Sequence, residues 1–126
     1  MRPQVDGGRW ILEDEAYIDV VDIQDGQVVV EGSIQGSEVN LYGGVLSGIG
    51  EVQSEVHNIA GTVSPGNSIG VLTIDGSYIQ HAGAELLIEI RDSADPQAGV
   101  DYDQLVVTDT AFFKDGTTVR FRRWRR

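Results

Sequence analysis

GTVSPGNSIGVLTIDGSYIQHAGAELLIEI, residues 61–90, decides how the rest of the chain is read. It opens on a turn at Pro65-Gly66 and continues into an apolar run, Ile69-Gly70-Val71-Leu72-Thr73-Ile74. Asp75-Gly76-Ser77 turns the chain, Tyr78 and Ile79 resume it, and Ala82-Gly83 turns it again before Leu86-Leu87-Ile88 and Ile90. Short β-branched runs bounded by Gly, Pro, Asn and Asp are strands between tight turns. Asn67 suits a corner in the left-handed region or a stacked ladder.

The pattern extends in both directions. Val20, Val21 and Ile23 are closed by Asp25-Gly26, and Val28-Val29-Val30 by Gly32. Downstream, Leu105-Val106-Val107, Ala111-Phe112-Phe113 and Val119-Arg120-Phe121 are the last apolar runs. Helix signals are nearly absent. Residues recur at a spacing of 22: Val30, Val52 and Ile74; Leu41 and Val63; Ile34, Val56 and Tyr78; Gly32 and Gly76 at two periods. Such a period is the signature of stacked units, and it predicts inward columns in which Val52 and Ile74 face the core.

The same residues carry a family resemblance. Residues 63–76, VSPGNSIGVLTIDG, resemble a signature of bacterial autotransporter passenger domains. Tyr78, Gln80, Ala82, Gly83, Leu86, Ile88, Glu89 and Ile90 continue it, as do residues 103–111, DQLVVTDTA, and residues 44–50, GVLSGIG. The resemblance covers roughly Tyr42 to Phe113. Asp109 departs from it, standing where the family usually has Gly. The resemblance implies an all-β chain forming a single right-handed parallel β-helix, a β-solenoid, as a piece of a longer passenger. It also implies a secreted or surface-displayed bacterial protein whose repeats carry function without being the site themselves.

Composition sets further bounds. The chain of 126 residues fits one domain, residues 1–126, or part of a longer solenoid. It divides into a loose N-terminus at 1–9, a protruding polar loop at 91–103 and a basic tail at 122–126. Cysteine is absent, which excludes disulfides and thiolate metal sites. The net charge of −11 is uneven: twenty acids against Arg2, Arg9, Arg91 and Lys114 leave −16 on residues 1–119. An acidic body repels nucleic acid and anionic membranes. Five arginines interleaved with Phe121 and Trp124 close the chain. The expectation is that they lie on acidic surface while Trp124 covers an open solenoid end, with Trp10-Ile11-Leu12 covering the other. Neither an apolar leader nor an apolar run of about 18 residues is present.

Candidate chemistry is sparse. Asp92, Asp95, Asp101 and Asp103 offer oxygens to Ca²⁺, but their spacing fits no EF-hand. A solvated acidic loop is the expectation, with Asp103 at a turn or strand start. Residues 65–70, PGNSIG, superficially resemble a phosphate cradle, yet no Lys and no helix follow. His57 and His81, 24 residues apart, are too few for zinc unless other ligands converge. Glu31, Gln53 and Asp75 would form a carboxylate-containing row at the 22-residue period, as a polysaccharide-acting enzyme needs. Between Arg9 and Arg91, however, no Lys or Arg accompanies them.

These readings predict no catalytic, cofactor or metal residues. The expected function is a non-catalytic stalk or adhesive module binding a host or neighbouring-cell surface ligand. A polysaccharide-acting enzyme and a solenoid that self-associates through its ends are the alternatives.

Overall fold

A computed structural model describes residues 4–66 and 69–123. Those residues form thirteen strands and no helix: β1 (Gln4–Leu12), β2 (Glu15–Tyr17), β3 (Val20–Val30), β4 (Ser33–Leu41), β5 (Val45–Gly48), β6 (Glu51–Asn58), β7 (Thr62–Pro65), β8 (Val71–Ile74), β9 (Tyr78–Gln80), β10 (Glu85–Ile90), β11 (Gln104–Val107), β12 (Ala111–Phe113) and β13 (Thr118–Arg123). All belong to one sheet, and every pairing between these strands is parallel. The fold is therefore all-β and solenoid-like, with each pass of the chain lying on the pass before it.

Three ladders run through the sheet, and the chain visits them in turn. In one, Val21, Val39, Val56, Tyr78 and Ala111 stack. In the next, Val28, Leu46, Val63, Leu86 and Val119 stack. In the third, Ala16, Ile34, Val52, Ile74 and Val107 stack. The central members are fully covered: Val39, Val56, Tyr78, Leu46, Val63, Ile34, Val52 and Ile74 each expose 1 % or less. Alternation explains the columns, since every second side chain of a strand points to the same face. Burying each large aliphatic side chain contributes roughly 1.5–3 kcal/mol.

The repeat is not the uniform 22 residues expected. Early passes advance by 18, as in Val21↔Val39, Val28↔Leu46 and Ile34↔Val52. The step becomes 22 at Val52↔Ile74 and Val56↔Tyr78, then 33 at Leu72↔Leu105, Tyr78↔Ala111 and Leu86↔Val119. Two of the expected pairs, Val52–Ile74 and Val56–Tyr78, are direct neighbours. Val30 instead lies beside Gly48, Ile34 beside Val52 and Leu41 beside Asn58. Extra residues enter only between strands: the connection from β7 to β8 lengthens one pass, and the loop 91–103 lengthens the next. The columns continue because strand register is set by backbone pairing, whereas corners are free to grow.

Two ends of the chain also differ from expectation. From Gln4 onward the N-terminus is strand, with Val5 paired to Ile23 and buried. At the other end, Arg122 and Arg123 belong to β13, paired with Glu89 and Ile90. Trp124 and Asn67 lie outside the described residues.

Glycine marks one corner of each early pass. Gly8, Gly26 and Gly44 have φ of +74°, +85° and +72°. A Cβ on Gly44 would stand 2.5 Å from the Gly26 carbonyl oxygen, and one on Gly26 2.6 Å from that of Gly8. Gly83 is also left-handed, at φ +89°, but nothing lies within 4 Å of its missing Cβ. Gly83→Ala is thus expected to cost about 1–2 kcal/mol, the backbone penalty alone. Gly44→Ala also forces the pass beneath it to move, so about 3 kcal/mol or more is expected. Urea denaturation of the two variants checks this, and equal costs would show that the corner spreads freely.

Candidate functional site

The long loop is closed at its base by two aspartates that do not share a cation. Asp101 accepts from the Arg91 guanidinium at 2.9 Å and from the Gln97 amide at 3.0 Å, while Arg91 N–H bonds back to the Asp101 carbonyl at 2.6 Å. The hydrogen bond from Arg91, with that from Gln97, holds the Asp101 carboxyl below the usual range against burial. Asp103 is almost fully buried and takes the Glu89 amide at 2.7 Å and the Gly70 amide at 2.9 Å. Asp92 pairs with Arg123, and Asp95 is exposed. Three of the four acids thus have separate partners: a cation, backbone amides and another cation. Asp103 does stand at a strand start, as expected, one residue before β11.

The same contacts describe the PGNSIG corner. Gly70 N–H, which a phosphate cradle would leave open, is taken by the Asp103 carboxylate. Asp103 therefore joins Gly70, strand β10 and the loop 91–103 into one unit. Burial pushes its carboxyl up to about 6, against the two amide hydrogen bonds; the Glu89 carboxylate adds to the rise and Arg122 opposes it.

His57 and His81 do meet across adjacent passes. His57 Nδ1 lies 3.4 Å from His81 Nε2, and Glu55 Oε1 is 3.0 Å from His57 Nε2. Burial first, then Lys114 and His57, lower the pKa of His81. Among the described residues no group of three or more His, Cys, Asp or Glu side chains converges on one point. The row Glu31–Gln53–Asp75 forms only in part. Val52 pairs with Ile74, which brings Asp75 level with Gln53, but Gln53 sits on Gln35, and Glu31, whose N–H bonds to the Leu12 carbonyl, is not part of the row. Asp75 accepts instead from Thr108 at 2.7 Å.

Sequence reasoning missed a polar chain inside the solenoid. The column Val5–Ile23–Leu41 is aliphatic and then changes to Asn58–Gln80, both fully buried. Gly61 N–H donates to Asn58 Oδ1 at 3.0 Å, and Asn58 Nδ2 donates to the Glu85 carbonyl and the Tyr78 hydroxyl, each at 3.1 Å. Tyr78 donates to Gln80 Oε1 at 2.6 Å, and Gln80 Nε2 donates to the Thr118 carbonyl at 2.9 Å and to Thr117. Burial raises the Tyr78 phenol well above its ordinary pKa, so it stays a donor. Among the described residues no buried side-chain polar atom lacks a partner. A 22-residue spacing between Asn58 and Gln80 is visible in the sequence, but only the register shows that both point inward.

The C-terminal end is apolar and open. Leu86, Ile88, Ile90, Leu105, Phe113, Val119 and Phe121 line most of a hollow of about 450 Å³. Phe113, Val119 and Phe121 are 42 %, 43 % and 63 % exposed. On the outer side, Arg120 and Arg122 reach Glu85 and Glu89 at 2.9 and 3.3 Å, and Arg123 reaches Asp92. These three arginines thus lie on acidic surface of their own chain, where solvent screens each pair. Neither models of protein families, nor curated proteins, nor solved structures match this chain.

Two outcomes follow from the buried polar groups. The folded-state pKa of Asp103 lies above its ordinary 3.8, so the native state binds the proton more tightly than the unfolded chain. Its contribution to stability is fully present below about 3.8 and is lost as pH rises through about 6. Carbon-13 titration of the Asp103 carboxyl should show a midpoint near 6; a midpoint near 3.8 would refute this. Stability of the wild type relative to Asp103→Asn should fall across the same window.

Tyr78→Phe leaves the fully buried Gln80 Oε1 without its donor. A loss of about 1–3 kcal/mol in chemical denaturation is expected. An unchanged midpoint would mean that the amides re-pair among themselves.

Proposed function

We propose that this chain is a non-catalytic structural and adhesive module of a bacterial secreted or surface-displayed protein. It is a right-handed parallel β-helix of the autotransporter passenger type, acting as a stalk or binding scaffold. The observation that carries the reading is the way the repeat lengthens. Passes grow from 18 to 33 residues while the inward columns continue, and all added length lies at corners. A core indifferent to corner length is suited to presenting variable surface. The resemblance in residues 63–76, 78–90 and 103–111 supports the same class.

The loop 91–103 is the presented surface. Its tip is exposed, while Asp101 and Asp103 fasten its base. It offers polar and acidic groups to a neutral or basic ligand on a host or neighbouring cell. The test is a glycan array and a cell-adhesion assay with the purified chain. Replacing the exposed residues 94–96 by Gly-Ser-Gly should abolish saturable binding and leave the circular dichroism spectrum and melting temperature unchanged. Binding that survives the replacement, or release of new reducing ends or unsaturated sugars from any glycan, would overturn the reading.

A further inference from the structure

The two ends of the described solenoid are complementary in backbone, in core and in charge. At the C-terminal end, β13, β11 and β12 have six, four and three residues, and each is hydrogen-bonded to an earlier strand on one side alone. At the N-terminal end, β1 and β2 have nine and three residues and pair only with later strands. An edge of this kind is a template for another parallel strand.

The core columns continue in step. Val119 and Phe121 stand in register with Leu86 and Ile88, whereas Trp10 and Leu12 stand in register with Val28 and Val30. Placing an N-terminal end on a C-terminal end would set Trp10 and Leu12 over Val119 and Phe121. In the same movement Ala16 would follow Val107, and Val5 would follow Phe113. Trp10, 45 % exposed, is large enough to enter the hollow bounded by Val119 and Phe121.

Charge selects this orientation over the two like-end pairings. Residues 104–123 carry Lys114, Arg120, Arg122 and Arg123 against Asp109 and Asp115. Residues 4–19 carry Asp6, Glu13, Asp14, Glu15 and Asp19 against Arg9. Arg120, Arg122 and Arg123 keep more than half of their side-chain surface exposed despite their internal pairs. Two C-terminal ends would repel, as would two N-terminal ends.

We propose that the partner of the apolar C-terminal end is the N-terminal end of a second copy of this chain, so that copies stack head to tail. The contact is heterologous and does not close by symmetry, so it propagates into a rod. The proposal stands apart from the adhesive role, because it uses the ends and not the loop 91–103.

Sedimentation velocity on the 126-residue chain tests it. The mass should rise from 13.7 kDa to at least double between low and several hundred micromolar. High salt should weaken the association, since the opposed charges are exposed. Phe121→Lys blocks one end and Trp10→Lys the other; each variant alone should stay monomeric. Mixed in equal amounts, they should form a dimer and nothing larger, because one free end of each kind remains. If Trp10→Lys alters the circular dichroism spectrum, Glu13→Lys/Asp14→Lys, at two exposed positions, replaces it. A wild type that remains monomeric throughout would overturn the proposal. So would a single variant that still associates, or a mixture that stays monomeric while the wild type does not.

Discussion

Every strand here takes its backbone partners in parallel from a pass of the chain that lies above or below it, and none of these strand pairings is a hairpin. That constraint governs the rest. Parallel pairing requires a long return connection, so the chain must travel around the core before it can pair again. One such circuit costs 18 residues in the early passes and sets all three ladders together. A slip of one residue in any ladder would turn a whole column from the core to solvent. The columns Ile34–Val52–Ile74 and Leu46–Val63–Leu86 therefore hold each other in register.

Because register lives in the strands, length can vary at the corners. Where passes are equally long, corners stack as closely as strands do, and glycine is required: Gly44 lies on Gly26, which lies on Gly8. Where a pass grows, its corner leaves the stack and needs its own closure. Asp103 supplies this for the longest corner by taking amides from Gly70 and Glu89, and Asp101 assists through Arg91. A carboxylate has the two acceptor oxygens to satisfy two converging amides at once. The structural demand of the long corner thus explains its two buried acids without a metal ion.

The change from Leu41 to Asn58 and Gln80 in one interior column brings hydrogen-bonding side chains into the core. The side chains of Asn58 and Gln80 satisfy Gly61 N–H and the Glu85 and Thr118 carbonyls from inside. Tyr78 joins the two amides, and Phe113 packs against it edge-on at 5.9 Å. Beyond this layer lie Val119 and Phe121, which among the described residues have strand neighbours on one side only.

Residues 61–90 determine the fold class by themselves: their strands are too short and too often broken by Gly, Pro and Asp for a helix, and the repeat points to stacking. Inward positions of Val52, Ile74, Val56 and Tyr78 were legible too, since strand alternation and one true 22-residue step place them. The 18-residue step was also written in the chain, in Gly8–Gly26–Gly44 and Gly32–Gly50, but a single uniform period hid it. The tertiary structure alone decided which pass lies on which, and hence that His57 meets His81 while Glu31 is kept from Gln53 and Asp75. It alone showed that Asp103 and Gln80 are buried acceptors and donors, not surface polar groups. The reason is physical: alternation and turn chemistry act over a few residues, whereas stacking depends on the summed length of every corner between two strands.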